Sequence, residues 1–341
     1  MRRSRISGIG MSLPERPTTN AELARYMDTS DEWIRQRSGI RQRWWVPQDT
    51  STSTSKLAVP AVEEALADAG LAKGELDMIV FATLSPDALF PGSACYLQAH
   101  LEVPGIPAID IRQQCSGFLY GLSMADLYIR DGQAQHVLVV GAEIQSKCLD
   151  ISTRGREMGV LFGDGAGAAI VSATEVADAS PRTSKESCLY SVHMHADGRY
   201  ADDLVWQSPG SQNRTFVPPE LVTEIEGYPR MNGRVVFTHA ARRMPEVMKE
   251  ALDAHGLASG DVDLYVVHQA NLRINDKFAE ALAIPPERIF NTIEDIGNTT
   301  AATIPIGLAM AKKAGRLERG MLVASAAFGS GFTWASALYR W

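Results

Sequence analysis

The sequence predicts an α/β fold built from two fused, pseudo-symmetric halves, and three observations carry that expectation. The first is an internal repeat: Glu64-Ala65-Leu66-Ala67-Asp68-Ala69-Gly70-Leu71 matches Glu250-Ala251-Leu252-Asp253-Ala254-His255-Gly256-Leu257 at an offset of 186 residues. In the same register, Gly121-Leu122-Ser123-Met124-Ala125 falls on Gly307-Leu308-Ala309-Met310-Ala311, and Val137 falls on Val323. The second is the pattern in each copy, where near-continuous apolar strands alternate with helical periodicity, as in sheets covered on both faces. The third is a later echo, Phe162-Gly163-Asp164-Gly165 against Phe328-Gly329-Ser330-Gly331, at an offset of 166. The halves are expected near residues 1–180 and 181–341, with about 20 extra residues in the first, around Gln145 to Leu161.

Taken in order, a helix closing at Gly70 leads into the strand Met78–Ala82. The strand Ile109-Asp110-Ile111 then stops at Gln113 and Gln114. Cys115 follows at a turn, and Phe118, Leu122, Ala125 and Leu127 recur at near-helical spacing to about Arg130. A strand over His136–Val140 completes the first set. The second half repeats the grammar with a helix closing at Gly256 and strands over Leu264–His268 and Met321–Ser325. The polar stretch Tyr200 to Arg230 reads as a lid or as a surface loop.

At 341 residues and 45% hydrophobic content the chain can bury a large core. Its net charge of -7 argues against nucleic acid as a partner. Met1 to Arg5 is basic but has no apolar segment after it, and no apolar run approaches the length of a membrane span, so a cytoplasmic protein without membrane insertion is expected. Four cysteines without C-x-x-C spacing read as reduced thiols, not as a disulfide framework or a zinc site.

Three residues stand out chemically. Cys115 lies where a helix N-terminus favours thiolate over thiol. His268 ends a buried strand, where α/β proteins gather ligands, and its repeat counterpart is Ala82. Asn298 lies three residues before the counterpart of Cys115, so the two halves are expected to bring Cys115 and Asn298 to one site. Helix capping would explain the asparagine alone.

Together with Asp28-Thr29-Ser30-Asp31-Glu32-Trp33-Ile34, Cys115-Ser116-Gly117-Phe118, Phe162-Gly163-Asp164-Gly165, His195-Ala196-Asp197-Gly198, His268-Gln269-Ala270-Asn271, Gly297-Asn298-Thr299 and Phe328-Gly329-Ser330-Gly331-Phe332, these residues make the chain resemble the β-ketoacyl-acyl carrier protein synthase III family of the thiolase superfamily, over essentially its whole length. The resemblance implies a layered thiolase-like fold. It also implies a decarboxylating Claisen condensation of an acyl-CoA primer with malonyl-acyl carrier protein, in fatty-acid or related acyl-chain assembly. Cys115 would carry the acyl group, neutral His268 and Asn298 would donate to the malonyl thioester oxygen, and the backbone N–H groups of Cys115 and Ser330 would meet the acyl oxyanion.

By the same resemblance, Trp33 and Arg156, with Arg154 as rival, would sandwich the CoA adenine. Arg37, Gly233 and Asn271 would line the CoA channel, and Phe90 would enter the acyl pocket of a homodimer partner. No metal or redox cofactor is implied. Departures are Gln113 and Gln114 where small residues are usual, Ser330 within the glycine-rich turn, and Glu280 and Ala281 where a basic pair often receives the carrier protein. Competing readings are a thiolase-fold transferase acting on an alcohol or amine without condensation, a papain-like hydrolase, a non-catalytic subunit on the same fold, and condensation with malonyl-CoA.

Overall fold

The computed structural model describes residues 1–207 and 227–341, and most of the Tyr200 to Arg230 stretch lies outside them. Two sheets face one another. The first runs Arg2–Ser12, Gly165–Glu175, His136–Glu143, Met78–Ala82, Ala108–Ile111. The second runs Leu189–Ala196, Thr333–Arg340, Leu322–Gly329, Leu264–Tyr265, and a parallel bridge from Tyr265 to Ile289 extends it by one position. In both, two antiparallel pairings are followed by two parallel ones. The repeat is visible in the ladders themselves: Met78 pairs with Val137 and Leu264 with Val323, each pair 186 residues from the other.

Helices Gly117–Arg130 and Thr303–Lys313 form the middle layer, where Phe118, Leu119, Leu122, Ile304 and Leu308 share one buried cluster with Val80, Val139, Val266 and Val323 from both sheets. A helix buried between two sheets must be apolar nearly all round, and Thr303–Lys313 is buried at eight of its eleven positions, which leaves no wide polar face. Outer helices cover the far faces. Thr54–Ala69 and Ser93–Leu101 pack on the first sheet and Gly233–Ala254 and Leu272–Ala281 on the second. The two helices that carry the repeat end as expected, at Gly70 (φ +68°) and Gly256 (φ +61°), where the left-handed turn suits glycine.

Two sequence expectations need correction. Leu127 is 60% exposed; Leu119 and Ile129 supply the core face, because the helix turns 100° per residue and position 127 falls outside the stripe. The strand expected over Leu264–His268 is assigned only at Leu264–Tyr265, although Val266 and His268 still donate to Ala324 and Ala326 O at 3.0 and 2.8 Å. Among the described residues no helix is long and apolar enough to cross a membrane.

At Gly141 the first sheet lies against the backbone that leads into helix Thr303–Lys313. A Cβ there would lie 2.4 Å from Ala301 O and 3.0 Å from Ala302 N, both backbone atoms. We predict that Gly141→Ala lowers unfolding free energy by about 1–3 kcal/mol in chemical denaturation. A change within about 0.5 kcal/mol would show that this contact does not constrain the fold.

Candidate active site

The nucleophile is set by a tight turn. After strand Ala108–Ile111 the chain makes one 3-10 turn, Gln114–Ser116, and continues directly into helix Gly117–Arg130. Gln114 adopts φ +43°, a conformation that costs a residue with a side chain. The other half makes the same construction 186 residues later: turn Thr300–Ala302, helix from Thr303, and φ +51° at Thr300. The turns adjoin: a Cβ on Gly117, directly after the first, would lie 3.5 Å from that of Ala301 in the second, and Gln145 Nε2 donates to Thr300 Oγ1 at 3.2 Å from the loop after strand His136–Glu143.

His268 and Asn298 reach the same place from the second half. Gln269 ties their loops together. Its Oε1 accepts from the backbone N–H groups of Thr292 and Ile293, at the start of the short helix that leads to Gly297 and Asn298. Asn298 is clamped through its backbone by Leu161 O and Gly163 N, both at 2.9 Å. Its Oδ1 accepts from Thr300 N at 2.9 Å, which fixes the amide orientation and leaves Nδ2 as a donor without a partner among the described residues. The His268 ring is buried, with Nδ1 2.7 Å from Thr303 Oγ1 and Nε2 without a partner among the described residues. Phe328–Gly331 closes the site from above. A Cβ on Gly329 would sit 2.9 Å from that of Cys115, so only glycine permits this approach.

Cys115, His268, Asn298, Asn271 and Ser330 line one cavity of about 210 Å³, whose walls are largely apolar, with Phe162, Leu204, Phe237 and Met244 among them. Trp33, Arg37, Arg156, Gly233 and Phe90 do not line it. Asn271 Nδ2 donates to Arg37 O at 2.9 Å, which joins the cavity to a surface cluster where the Arg37 and Arg156 guanidinium carbons lie 4.4 and 5.0 Å from the Trp33 ring. The structure thus places Arg156 against the indole, while Arg154 is paired with Asp150 at 2.7 Å. Trp33 also lies in the first turn of helix Asp31–Ser38, where its N–H donates to the capping Ser30, and packs against the buried cluster that contains Leu23, Ile34 and Ile293, so it has a structural role as well. Gly233 opens helix Gly233–Ala254 beside Met231, where a Cβ would meet nothing closer than 3.7 Å. Phe90 is 85% exposed.

The expected resting thiolate is not what this environment favours. Burial, and then the neighbouring Glu143 carboxyl, push the Cys115 thiol up to about 12, and they outweigh the turn's backbone N–H. Burial drives the His268 imidazole down to about 3. The resting cavity therefore holds a thiol and a neutral imidazole. Glu143, itself raised to about 7 by burial and held by Ser85, Leu84 and Thr83, is a neighbour the sequence reading missed; only its place at the end of a buried strand hinted at it. Two further motifs of the resemblance serve as structural latches. Asp164 takes Val46 N and both Ser146 donors, and Asp197 exchanges backbone hydrogen bonds with Phe332.

This architecture has known counterparts. The family model described as 3-oxoacyl-[acyl-carrier-protein] synthase III matches residues 109–198, and its C-terminal companion matches residues 252–341. The β-ketoacyl-[acyl-carrier-protein] synthase III of Rhodospirillum rubrum is 45% identical over 341 residues, covering all of both chains. The chain belongs to this family. Among solved structures, the Aquifex aeolicus 3-oxoacyl-[acyl-carrier-protein] synthase III is 40% identical with a TM-score of 0.87, covering 99% of this chain and 100% of that one. The Pseudomonas aeruginosa enzyme is 34% identical with the same score, covering 99% and 98%. The protein is accordingly a thiolase-fold condensing transferase of fatty-acid biosynthesis.

Folding holds the imidazole neutral against an ordinary value of 6.5, so the stability this contributes is complete above pH 6.5 and is lost as pH falls toward 3. We predict that the NMR signals of the His268 ring do not titrate between pH 5 and 8. A titration centred near 6.5 would contradict the buried, unpaired environment.

Proposed function

We propose that this member of the synthase III family condenses an acyl-CoA primer with malonyl-acyl carrier protein, through an acyl group carried on Cys115. The single observation that supports the reading most is the convergence of a buried thiol, a neutral imidazole with a free nitrogen, and an asparagine with a free N–H on one cavity. Cys115 gives up its proton as Sγ bonds to the acyl carbon; the thioester C–S bond breaks with its electron pair on the CoA sulfur, and CoA leaves as the thiol. Decarboxylation of the malonyl group builds charge on its thioester oxygen, which the neutral His268 ring and Asn298 Nδ2 meet as donors in a dry site where such donors count most. A backbone N–H at Cys115, with that of Ser330 opposite, serves the acyl oxyanion.

The Trp33, Arg37 and Arg156 cluster supports nucleotide binding at the mouth, because an indole and planar guanidinium groups stack on an adenine. Phe90 is exposed next to Leu89, and strand Ala108–Ile111 pairs on one side only, so a second copy has both an edge and an aromatic side chain to use. These features support a homodimer in which Phe90 enters the partner's acyl pocket. On helix Leu272–Ala281, Lys277 is paired with Glu280 at 2.6 Å, which is in keeping with a carrier-docking face that departs from the usual basic pair. The transfer of an acyl group to an alcohol or amine leaves Asn298 without a task, which disfavours it.

Cys115→Ser is expected to abolish the acyl-enzyme seen by mass spectrometry. Asn298→Ala should still acylate but decarboxylate malonyl-acyl carrier protein about 10²–10³ times more slowly. Condensation at the wild-type rate by the Asn298 variant would remove that residue from the mechanism.

A further inference from the structure

We propose that the acyl pocket extends past Leu84 into a second cavity, and that Arg112 at the junction receives the carboxylate of a primer with an acid at its far end, the mono-CoA thioester of a dicarboxylic acid. The proposal rests on the acyl-cysteine reading above and names the substrate class of that site. It starts from the two glutamines before the nucleophile, which the condensation chemistry leaves without a task, and from the arginine that precedes them.

The cavity around Cys115 has two ends. At one, Asn271 donates to Arg37 O and so joins the Trp33 cluster, which marks the mouth. At the other, it shares Leu84, Arg112 and Trp206 with a cavity of about 460 Å³ rimmed by residues 51–54 and 85–89. An acyl chain anchored on Sγ, with its CoA arm toward the mouth, has this second end left to it. Leu84 and Phe162 offer apolar contact to its methylene groups, while Arg112, Gln114 and Gln145 bring polar groups into the same cavity.

These polar groups are not used up by the protein itself. Gln145 Nε2 donates to Thr300 Oγ1, but its Oε1 has no partner among the described residues, and neither has the Gln114 side-chain amide. Arg112 is exposed on the rim between the cavities and makes no hydrogen bond or ion pair among the described residues. The neighbouring charges, by contrast, are already answered. Asp110 accepts from Ser93 N and Ala94 N, Asp87 accepts from Ser55, and Glu143 is buried under Thr83, Leu84 and Ser85. Lys147 donates to Thr50 O and Thr52 O. What remains at the junction is one guanidinium with amide groups beside it. A methyl-ended chain gains nothing from that charge, whereas a carboxylate gains paired, charge-assisted N–H donors in a planar fork. Thioester cleavage and departure of CoA are unchanged, and the condensation product keeps its acid at the end remote from the carrier thioester. Arg112 directly follows edge strand Ala108–Ile111, so pairing with a second copy is the competing use of its charge.

The test loads the full-length protein with two matched series of CoA thioesters, succinyl to suberyl and butyryl to octanoyl, and reads kcat/KM for acylation of Cys115 from intact mass. At one or more chain lengths the carboxylate-ended thioester should load about tenfold or more faster than its methyl-ended match. In Arg112→Met and Arg112→Gln that advantage should fall by about tenfold or more, with the change carried by KM. A wild type without such an advantage at any length would overturn the proposal and leave the acyl-cysteine reading standing. So would variants that keep the wild-type ratio, and a shift to monomer in size-exclusion chromatography with that ratio unchanged would assign the guanidinium to the subunit interface. If neither variant folds, the wild-type ratio decides. Failure of both series to load Cys115 would sink the functional reading, and this proposal with it.

Discussion

The site depends on one constraint: two strand-to-helix turns from different halves must occupy adjoining space at the centre of the molecule. Gln114–Ser116 and Thr300–Ala302 are related by the 186-residue offset, both begin at a residue of positive φ, and both open a helix of the middle layer. Small residues make the contact possible, since Gly117, Gly141 and Ala301 leave no room for longer side chains between them. The backbone strain at Gln114 and Thr300 is held by the buried helices behind each turn. Once the turns are fixed, the nucleophile, the amide donor and the threonine beside the histidine are fixed with them.

Burial gives the site its chemistry and also sets its demands. It protonates the thiol and keeps the imidazole neutral, so the resting centre holds no ion pair inside an apolar cavity. In the proposed acyl-cysteine mechanism the nucleophile therefore has to form at the moment of attack and is not stored as thiolate. The same dryness strengthens any N–H aimed at a developing oxyanion. Asn298 is suited to that task because its oxygen is already occupied by Thr300 N.

Much of this was legible in the sequence, for physical reasons that can be named. The repeat exposed the fold because duplicated sheets need the same apolar periodicity, and the 186-residue register proved to be the pairing register of both sheets. Cys115 and His268 stood out because each breaks the apolar pattern at the end of a strand, and Asn298 because the repeat sets it three residues before the counterpart of Cys115; a short helix, Ile293–Ile296, and not a strand, leads into it. The thiol's protonation state did not follow, since a helix N-terminus is visible in sequence while Glu143 and the depth of burial are properties of the packed molecule. Thr303, whose hydroxyl meets the His268 ring, was equally hidden, as one threonine among several in Asn298-Thr299-Thr300-Ala301-Ala302-Thr303. Arg156 could be separated from Arg154 only by seeing which guanidinium lies on Trp33 and which on Asp150.

The most direct test of the account is intact-mass analysis of the protein after incubation with acyl-CoAs from acetyl to dodecanoyl, followed by malonyl-acyl carrier protein. The account predicts a mass gain of one acyl group, mapped to Cys115, that clears on addition of the malonyl carrier with release of carbon dioxide. Stable loading that clears only with an alcohol or amine, or no loading at any chain length, would contradict it.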